Sequence, residues 1–520
     1  MTEDISSKTP LIGTSGEETE APMEGTSGAD PWSVLQMCTE AISRFPKVSQ
    51  DAGRWQPCVL YRGGENWLAR FGKGLEVTDQ IKNIREEVRA LSAKWLRMQN
   101  VCVLLGAGAS KYATGFVGSG VFDRVRSLLE GRPSAKTLDA LLQHSSKPGE
   151  VGRRFEQFLS QVSSLVSLSE VRRWPLDNLP IDVTLAGVRG AHRRREALKH
   201  LLLEMERAIV VCCNVLLPPS ELMLADGAPT PHETFLAKLV ARDPQQGRAC
   251  IFTTNYDTLV EQAMDRLGIL YSDGFTGTVH RRFNPACYDL DLHYPGEVTE
   301  GRVRRYDRVL HLYKLHGSIN WRRSEYSIPN PYGVTFDVRP LPTEPQLKTK
   351  KEAGKKGRDY FAESIEERQS LVILPTAAKY GESLTMPFAH LFRAMGQALQ
   401  KPQTVLFVIG YSGWDLHVNQ IVEDALANPG FTCVISDPFP SQWAKRLCRA
   451  DYCGRVYCLG GEWGNFEFFA QQVLPDIEVL KTELAVARTL RELRRVRSED
   501  TESGETMDAG GINGGTVRTK

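Results

Sequence analysis

Seven short runs of aliphatic and β-branched residues, interleaved with helix-length patterns, constrain this chain more than any other feature. They are Val101–Leu105, Cys250–Thr253, Val309–Leu315, Leu371–Leu374, Val405–Ile409, Thr432–Ser436 and Arg455–Leu459. Strands that are apolar on both faces belong to parallel sheets covered on both sides. Alternation with helical periodicity predicts a Rossmann-like, doubly wound α/β domain. The first two runs lie about 145 residues apart, far beyond an ordinary crossover. That gap predicts a large helical insertion after the first strand, over about residues 111–247. Its helical patterns are Phe155–Leu168, Arg193–Leu217 and Glu233–Ala241.

The rest of the chain divides by composition. Residues 1–30 are rich in Ser, Thr, Glu and Gly, too poor in apolar groups to offset their ordering entropy, and are expected to be disordered. Residues 31–98 read as a small α+β region. Apolar and polar residues alternate through Trp55–Phe71 around Gly63-Gly64, a hairpin pattern. Val77, Ile81, Ile84, Val88, Leu91 and Trp95 mark an amphipathic helix over Glu76–Met98. The α/β domain is expected over 99–465, with a basic loop over about 322–369. Within that loop Lys348–Lys356 reads either as a solvated segment or as a docking patch for an acidic partner. Residues 466–497 read as a C-terminal helical segment, one helix or two broken at Pro475, and 498–520 as a disordered tail.

Composition excludes several classes. Lys plus Arg is 64 against 63 Asp plus Glu, a net charge of +1, so no nucleic-acid coat or polybasic membrane binder is indicated. No apolar stretch reaches the roughly 18 residues that span a bilayer. The first residues lack a basic flank followed by an apolar run, so no signal peptide is read there, and a cytoplasmic location with free thiols is expected. Cys448, Cys453 and Cys458 are evenly spaced but supply three ligands, not four, and read as buried thiols.

The chemistry-bearing residues fall at strand ends, where open α/β sheets bind ligands. The first strand runs into Gly106-Ala107-Gly108-Ala109-Ser110, a tight turn whose glycines either allow a pyrophosphate to approach the backbone or serve packing alone. Lys111 stands where a full dinucleotide fingerprint has its third glycine. The second strand ends in Thr253-Thr254-Asn255-Tyr256-Asp257, which puts Asn255 and Asp257 beside a ligand unless Asp257 only caps the next helix. The third ends in Leu315-His316-Gly317, and a strand-end histidine is a general-base candidate, though a lone histidine is more often structural. The fifth ends in Gly410-Tyr411-Ser412-Gly413-Trp414-Asp415, a ligand-facing loop in which Ser412 or Asp415 could equally cap a helix.

This ordered set resembles the sirtuin-like superfamily, and within it the NAD hydrolases of prokaryotic antiviral defence, over about residues 98–465. The resemblance implies NAD as substrate. Gly106, Ala107, Gly108 and Ser110 match the family's phosphate and ribose loop, with Thr254 and Gly410 beside it. Asn255 matches the asparagine at the nicotinamide ribose, Asp257 the aspartate two residues on, and His316 the catalytic histidine. Ser412 and Asp415 match the adenosine-side loop. Two departures stand out. Sirtuin deacylases carry four zinc-binding cysteines after the catalytic histidine, and here no cysteine lies between Cys287 and Cys433, so no metal is expected. Lys111-Tyr112-Ala113-Thr114-Gly115-Phe116 replaces the Gly-Ile-Pro-type segment that follows the first loop.

The implied reaction is hydrolysis of NAD⁺ to nicotinamide and ADP-ribose, with antiviral, anti-phage defence as its setting. Asn255 would hold water and ribose hydroxyls, His316 would act as base, and Asp257 would stabilise charge or orient the network. Two alternatives stand beside it: a non-catalytic NAD or ADP-ribose sensor or scaffold, and an NAD-dependent protein deacylase. The resemblance also implies a homo-oligomer and a separately encoded partner such as an ATPase; this chain has no Gly-x-x-x-x-Gly-Lys-Ser/Thr run, so any ATPase activity comes from elsewhere.

Overall fold

The computed structural model describes residues 59–62, 65–66, 77–114, 118–143, 155–170, 191–219, 229–295, 305–337, 370–372, 383–450, 453–478 and 480. The expected terminal disorder and the block 348–356 lie outside these residues.

Fourteen strands are described: β1 Val59–Arg62, β2 Glu65–Asn66, β3 Asn100–Leu105, β4 Cys250–Thr253, β5 Leu270–Ser272, β6 Phe275–Thr276, β7 Arg282–Phe283, β8 Val309–Lys314, β9 Gly317–Arg323, β10 Val334–Phe336, β11 Ser370–Val372, β12 Thr404–Ile409, β13 Phe431–Ser436 and β14 Val456–Gly460. The main sheet has the order β2-β1-β14-β13-β12-β3-β4-β8-β5. Its seven strands from β14 to β5 are parallel, and β1 closes the edge antiparallel to β14. This is a Rossmann-like doubly wound sheet. The chain runs outward from β3 through β4 to β8 on one side, and β12, β13 and β14 fill the other. The strand order therefore reverses between β3 and β12, the crevice where such sheets take ligands.

Alternate side chains of each central strand feed two cores. Val101, Val103 and Leu105 of β3 join Val405, Phe407 and Ile409 of β12 on one face. Cys102 and Leu104 join Leu406 and Val408 on the other. The first face is covered by α1 (Val77–Leu96), α6 (Pro231–Val240) and α7 (Leu259–Arg266), the second by α8 (Phe388–Leu399), α9 (Leu416–Ala425) and α10 (Gln442–Ala450). Between β3 and β4 lie also α2 (Gly118–Leu129), α3 (Pro133–Gln143), α4 (Phe155–Glu170) and α5 (Ala191–Cys213). These four carry their own core, including Phe122, Leu129, Phe158, Leu159, Leu201 and Met205. Helix α6 begins with a capping box: Thr230 accepts from the Glu233 amide, and the Glu233 carboxylate accepts from the Thr230 amide.

Two expectations need correction. The run at Leu371–Leu374 is not part of the parallel sheet; β11 pairs antiparallel with β9 in a second sheet of order β11-β9-β10-β7-β6. A run of three or four apolar residues fits a half-buried strand as well as a fully buried one, so its length could not tell them apart. Residues 322–323 and 334–336, read as part of a basic loop, are strands of this second sheet. The C-terminal segment follows the reading of two helical stretches broken at Pro475: Phe466–Phe468 continues into a wider turn, Phe469–Val473, and helix resumes at 477–478. Leu474, which precedes Pro475, takes an extended conformation, as the proline ring requires. No helix among the described residues is long and apolar enough to cross a membrane.

Candidate active site

The parallel register puts the strand ends side by side. Leu105 pairs with Thr253 and with Ile409, and Thr253 pairs with Lys314. Gly106, Thr254, Leu315 and Gly410 therefore leave the sheet along one edge, on strands about 4.8 Å apart. Asn255 and His316, each two residues past a paired position, lie on adjacent strand ends of that edge.

The turn after β3 is shaped by its neighbour across the switch point. Gly108 donates to the Gly410 carbonyl (2.9 Å), and Gly106 donates to Ile409 (3.0 Å). A Cβ on Gly106 would stand 2.6 Å from the Gly410 oxygen, and one on Gly410 2.3 Å from the Ala109 nitrogen, where φ is already +62°. These glycines are required first by the packing of two backbones against each other, a cause the sequence pattern alone did not separate from ligand approach. Ala107 lies exposed at the tip of the turn.

The turn after β4 is held by side chains. Thr253 Oγ1 donates to Leu105 O (3.1 Å) and accepts from the Asn255 amide (3.0 Å), while the Thr254 amide donates to Leu105 O (3.1 Å). Asn255 Nδ2 donates to Gly106 O (2.9 Å) and to Ser110 Oγ (3.0 Å). The Gly106 carbonyl can only accept, so the amide orientation is decided and Oδ1 is left to receive a hydrogen from a ligand or water. Ser110 Oγ passes its own hydrogen to Asp257 Oδ2 (2.8 Å). Asp257 Oδ1 accepts from the Leu259 amide (3.1 Å). Of the two roles the sequence left open, the hydrogen bonds carry the cap: one oxygen accepts from the first turn of α7, and the other anchors the Asn255–Ser110 chain.

Beneath this turn, buried Lys314 donates to the Asp257 carbonyl and pairs with Glu261 (3.0 Å). Burial raises the Glu261 carboxyl, the lysine opposing it. The amine ties the strand that carries His316 to the turn that carries Asn255. Tyr256, between Asn255 and Asp257, packs against the core of the inserted helices, so the insertion touches the site directly.

His316 is 3% exposed in the two-residue link where the chain leaves β8 and enters β9. Gly317 at φ +81° makes that change of sheet possible. Nε2 of His316 lies 3.4 Å from Nε2 of His417. The turn after β12 is more open. Ser412 and Trp414 are exposed, and Asp415 stands at the N-cap of α9 without a side-chain capping bond. Tyr411 donates to Asn419 Oδ1 (3.0 Å), and Asn419 donates to Gly413 O (2.7 Å).

Residues 249–453 match a SIR2-like domain. The match opens at β4 and takes in Asn255, Asp257, His316, Gly410, Ser412 and Asp415, but not the glycine turn, and it covers less than half of the chain. No curated protein matches the chain. Two solved structures align over most of their own length. One comes from work on the structural basis for the mechanism and regulation of Sir2 enzymes: 11% identity, 77% of this chain, 99% of that one, TM-score 0.32. The other is a mutant Sir2 homologue in complex with ADP-ribose: 13% identity, 76% and 97% covered, TM-score 0.31. The fold stands on the strand order, not on this likeness.

The SIR2-like segment holds three groups that the motif reading passed over. Lys314 had a signal, a charge inside an apolar strand. Asp437 directly follows β13, as Thr254 follows β4, and burial raises its carboxyl to about 6. His417 had only its place two residues past Asp415. Cys453, expected to be buried with Cys448 and Cys458, is exposed. Among the described residues no group of three His, Cys, Asp or Glu side chains gathers in metal-binding geometry.

Proposed function

We propose that the protein hydrolyses NAD⁺ at the bond between nicotinamide and ribose. One observation carries the reading: Asn255 and His316 stand on adjacent strand ends at the switch point of a doubly wound sheet, with the Asn255–Ser110–Asp257 chain beside the glycine turn. The SIR2-like match, which takes in Asn255, Asp257 and His316, supports NAD as the substrate.

In this reading the diphosphate lies over Gly106–Ser110, with the adenosine side toward Gly410, Ser412 and Asp415. Nicotinamide leaves with the bonding pair as a neutral molecule, and positive charge builds on the ribose. Asn255 Oδ1 accepts a hydrogen bond from the attacking water or a ribose hydroxyl and fixes its line of approach. The water oxygen bonds the sugar carbon, and His316 takes the proton it loses. Asp257, with both oxygens engaged inside the protein, orients Ser110 and Asn255. The products are nicotinamide, ADP-ribose and a proton. No metal enters this scheme.

An enzyme of this kind would deplete the cell of NAD, which suits an antiviral effector held silent until triggered. Homo-oligomerisation and a separately encoded partner would provide that control. The test is nicotinamide release from NAD⁺ by the purified full chain, run beside a mass measurement with and without NAD⁺. His316→Ala retaining the wild-type rate would remove the assigned base.

A further inference from the structure

His417 sits in the first turn of α9, and its ring lies 5.6 Å from that of His316, centroid to centroid. Phe392 packs edge-on against it (4.8 Å, 79°) and lies 6.2 Å from the His316 ring. His316 is buried and His417 half-buried. Two Nε2 atoms 3.4 Å apart obey a simple rule. Two lone pairs facing one another repel, and so do two N–H groups. Only one nitrogen of the pair can carry the hydrogen. The tautomer of one ring therefore dictates that of the other.

Resting on the NAD⁺ hydrolase reading above, we propose that His417 is a positioning residue for that reaction. It sets the tautomer and ring plane of His316, and so decides which of its nitrogens takes the proton from the attacking water. When that proton arrives, the hydrogen between the rings is shared, and positive charge spreads over a pair instead of one buried imidazole. His417, the more exposed ring, is the side from which the proton returns to solvent.

The test has two arms on the full-length protein. In the first, NMR of selectively ¹⁵N-labelled histidines, assigned through His316→Gln and His417→Gln, reads the ring nitrogens. Wild type is expected to show one of the two Nε2 atoms protonated and the other not, and His417→Phe to remove that bias at His316. In the second, His417→Phe lowers kcat for nicotinamide release about tenfold at unchanged KM, and His417→Gln, which still offers a hydrogen-bond partner, recovers to within about threefold. Equal Nε2 states in the wild type overturn the proposal. So does a folded His417→Phe with wild-type kcat, or a His417→Gln as impaired as His417→Phe. If His417→Phe does not fold, wild type and His417→Gln decide in the first arm. A wild type that releases no nicotinamide defeats the hydrolase reading, and the first arm alone then decides the imidazole pair.

Discussion

The turns after β4 and β12 face each other across the switch point and are built differently. Beyond β4, every polar side chain that matters is spoken for: Thr253, Asn255, Ser110 and Asp257 form one hydrogen-bonded chain, with Lys314 and Glu261 beneath it. Beyond β12, the backbone is fixed by close contact of Gly410 with Gly108, yet Ser412 and Trp414 stand in solvent. A wired turn holds chemical groups in line, and an open one leaves surface for a ligand to cover. Changes in the first should act on kcat, and changes in the second on KM.

The largest effect is expected on the wired side. Asn255→Ala removes the acceptor at Oδ1 and the donor to Ser110, and should cut kcat for nicotinamide release by about 100-fold or more. A kcat near wild type would erase the distinction between the turns. Acid should act next, through His232. Its Nδ1 meets the Tyr112 hydroxyl at 2.7 Å, next to the glycine turn, and burial lowers it from 6.5 to about 4. The folded protein then binds fewer protons than the unfolded chain between these values. Stability present above pH 6.5 is lost as pH falls toward 4, by up to about 3 kcal/mol from this group. Urea titrations of wild type and His232→Gln check it, and the variant should lose less than wild type over that window.

Gly410→Ala forces a Cβ to 2.3 Å from the Ala109 nitrogen at φ +62°, and should lower stability by about 2 kcal/mol or more. A neutral result would mean the two turns are not packed as described. Ser110→Ala leaves Asp257 Oδ2 and one Asn255 hydrogen without their partner. It should reduce kcat about tenfold at a stability cost of about 1 kcal/mol. Trp414→Ala should leave the melting curve within about 0.5 kcal/mol of wild type and raise KM. An unchanged KM would show that the exposed ring meets no part of the ligand.

Much of this was legible in the sequence. Six of the seven apolar runs are parallel strands, because a strand buried on both faces carries few polar positions, Lys314 and His311 of β8 being exceptions. The order Gly106, Asn255, His316, Gly410 along the chain follows from strand ends lying at one edge. The second sheet was not legible. Two of its strands, Phe275–Thr276 and Arg282–Phe283, have only two residues each and rest on aromatic contacts with Trp321, which periodicity cannot register. Nor were the partners of the site residues. That Asp257 spends both oxygens within the protein, or that His417 meets His316, depends on residues far apart in sequence brought together by register and helix placement.

The most direct measurement is a balance sheet for NAD⁺ incubated with the purified full chain and with Asn255→Ala and His316→Ala. The expected result is nicotinamide and ADP-ribose in equal amounts from wild type, and near-background release from both variants while each still unfolds in one cooperative transition. Intact NAD⁺ with wild type in every oligomeric state, or release that ignores both substitutions, would contradict a hydrolytic centre at the meeting of β4 and β8.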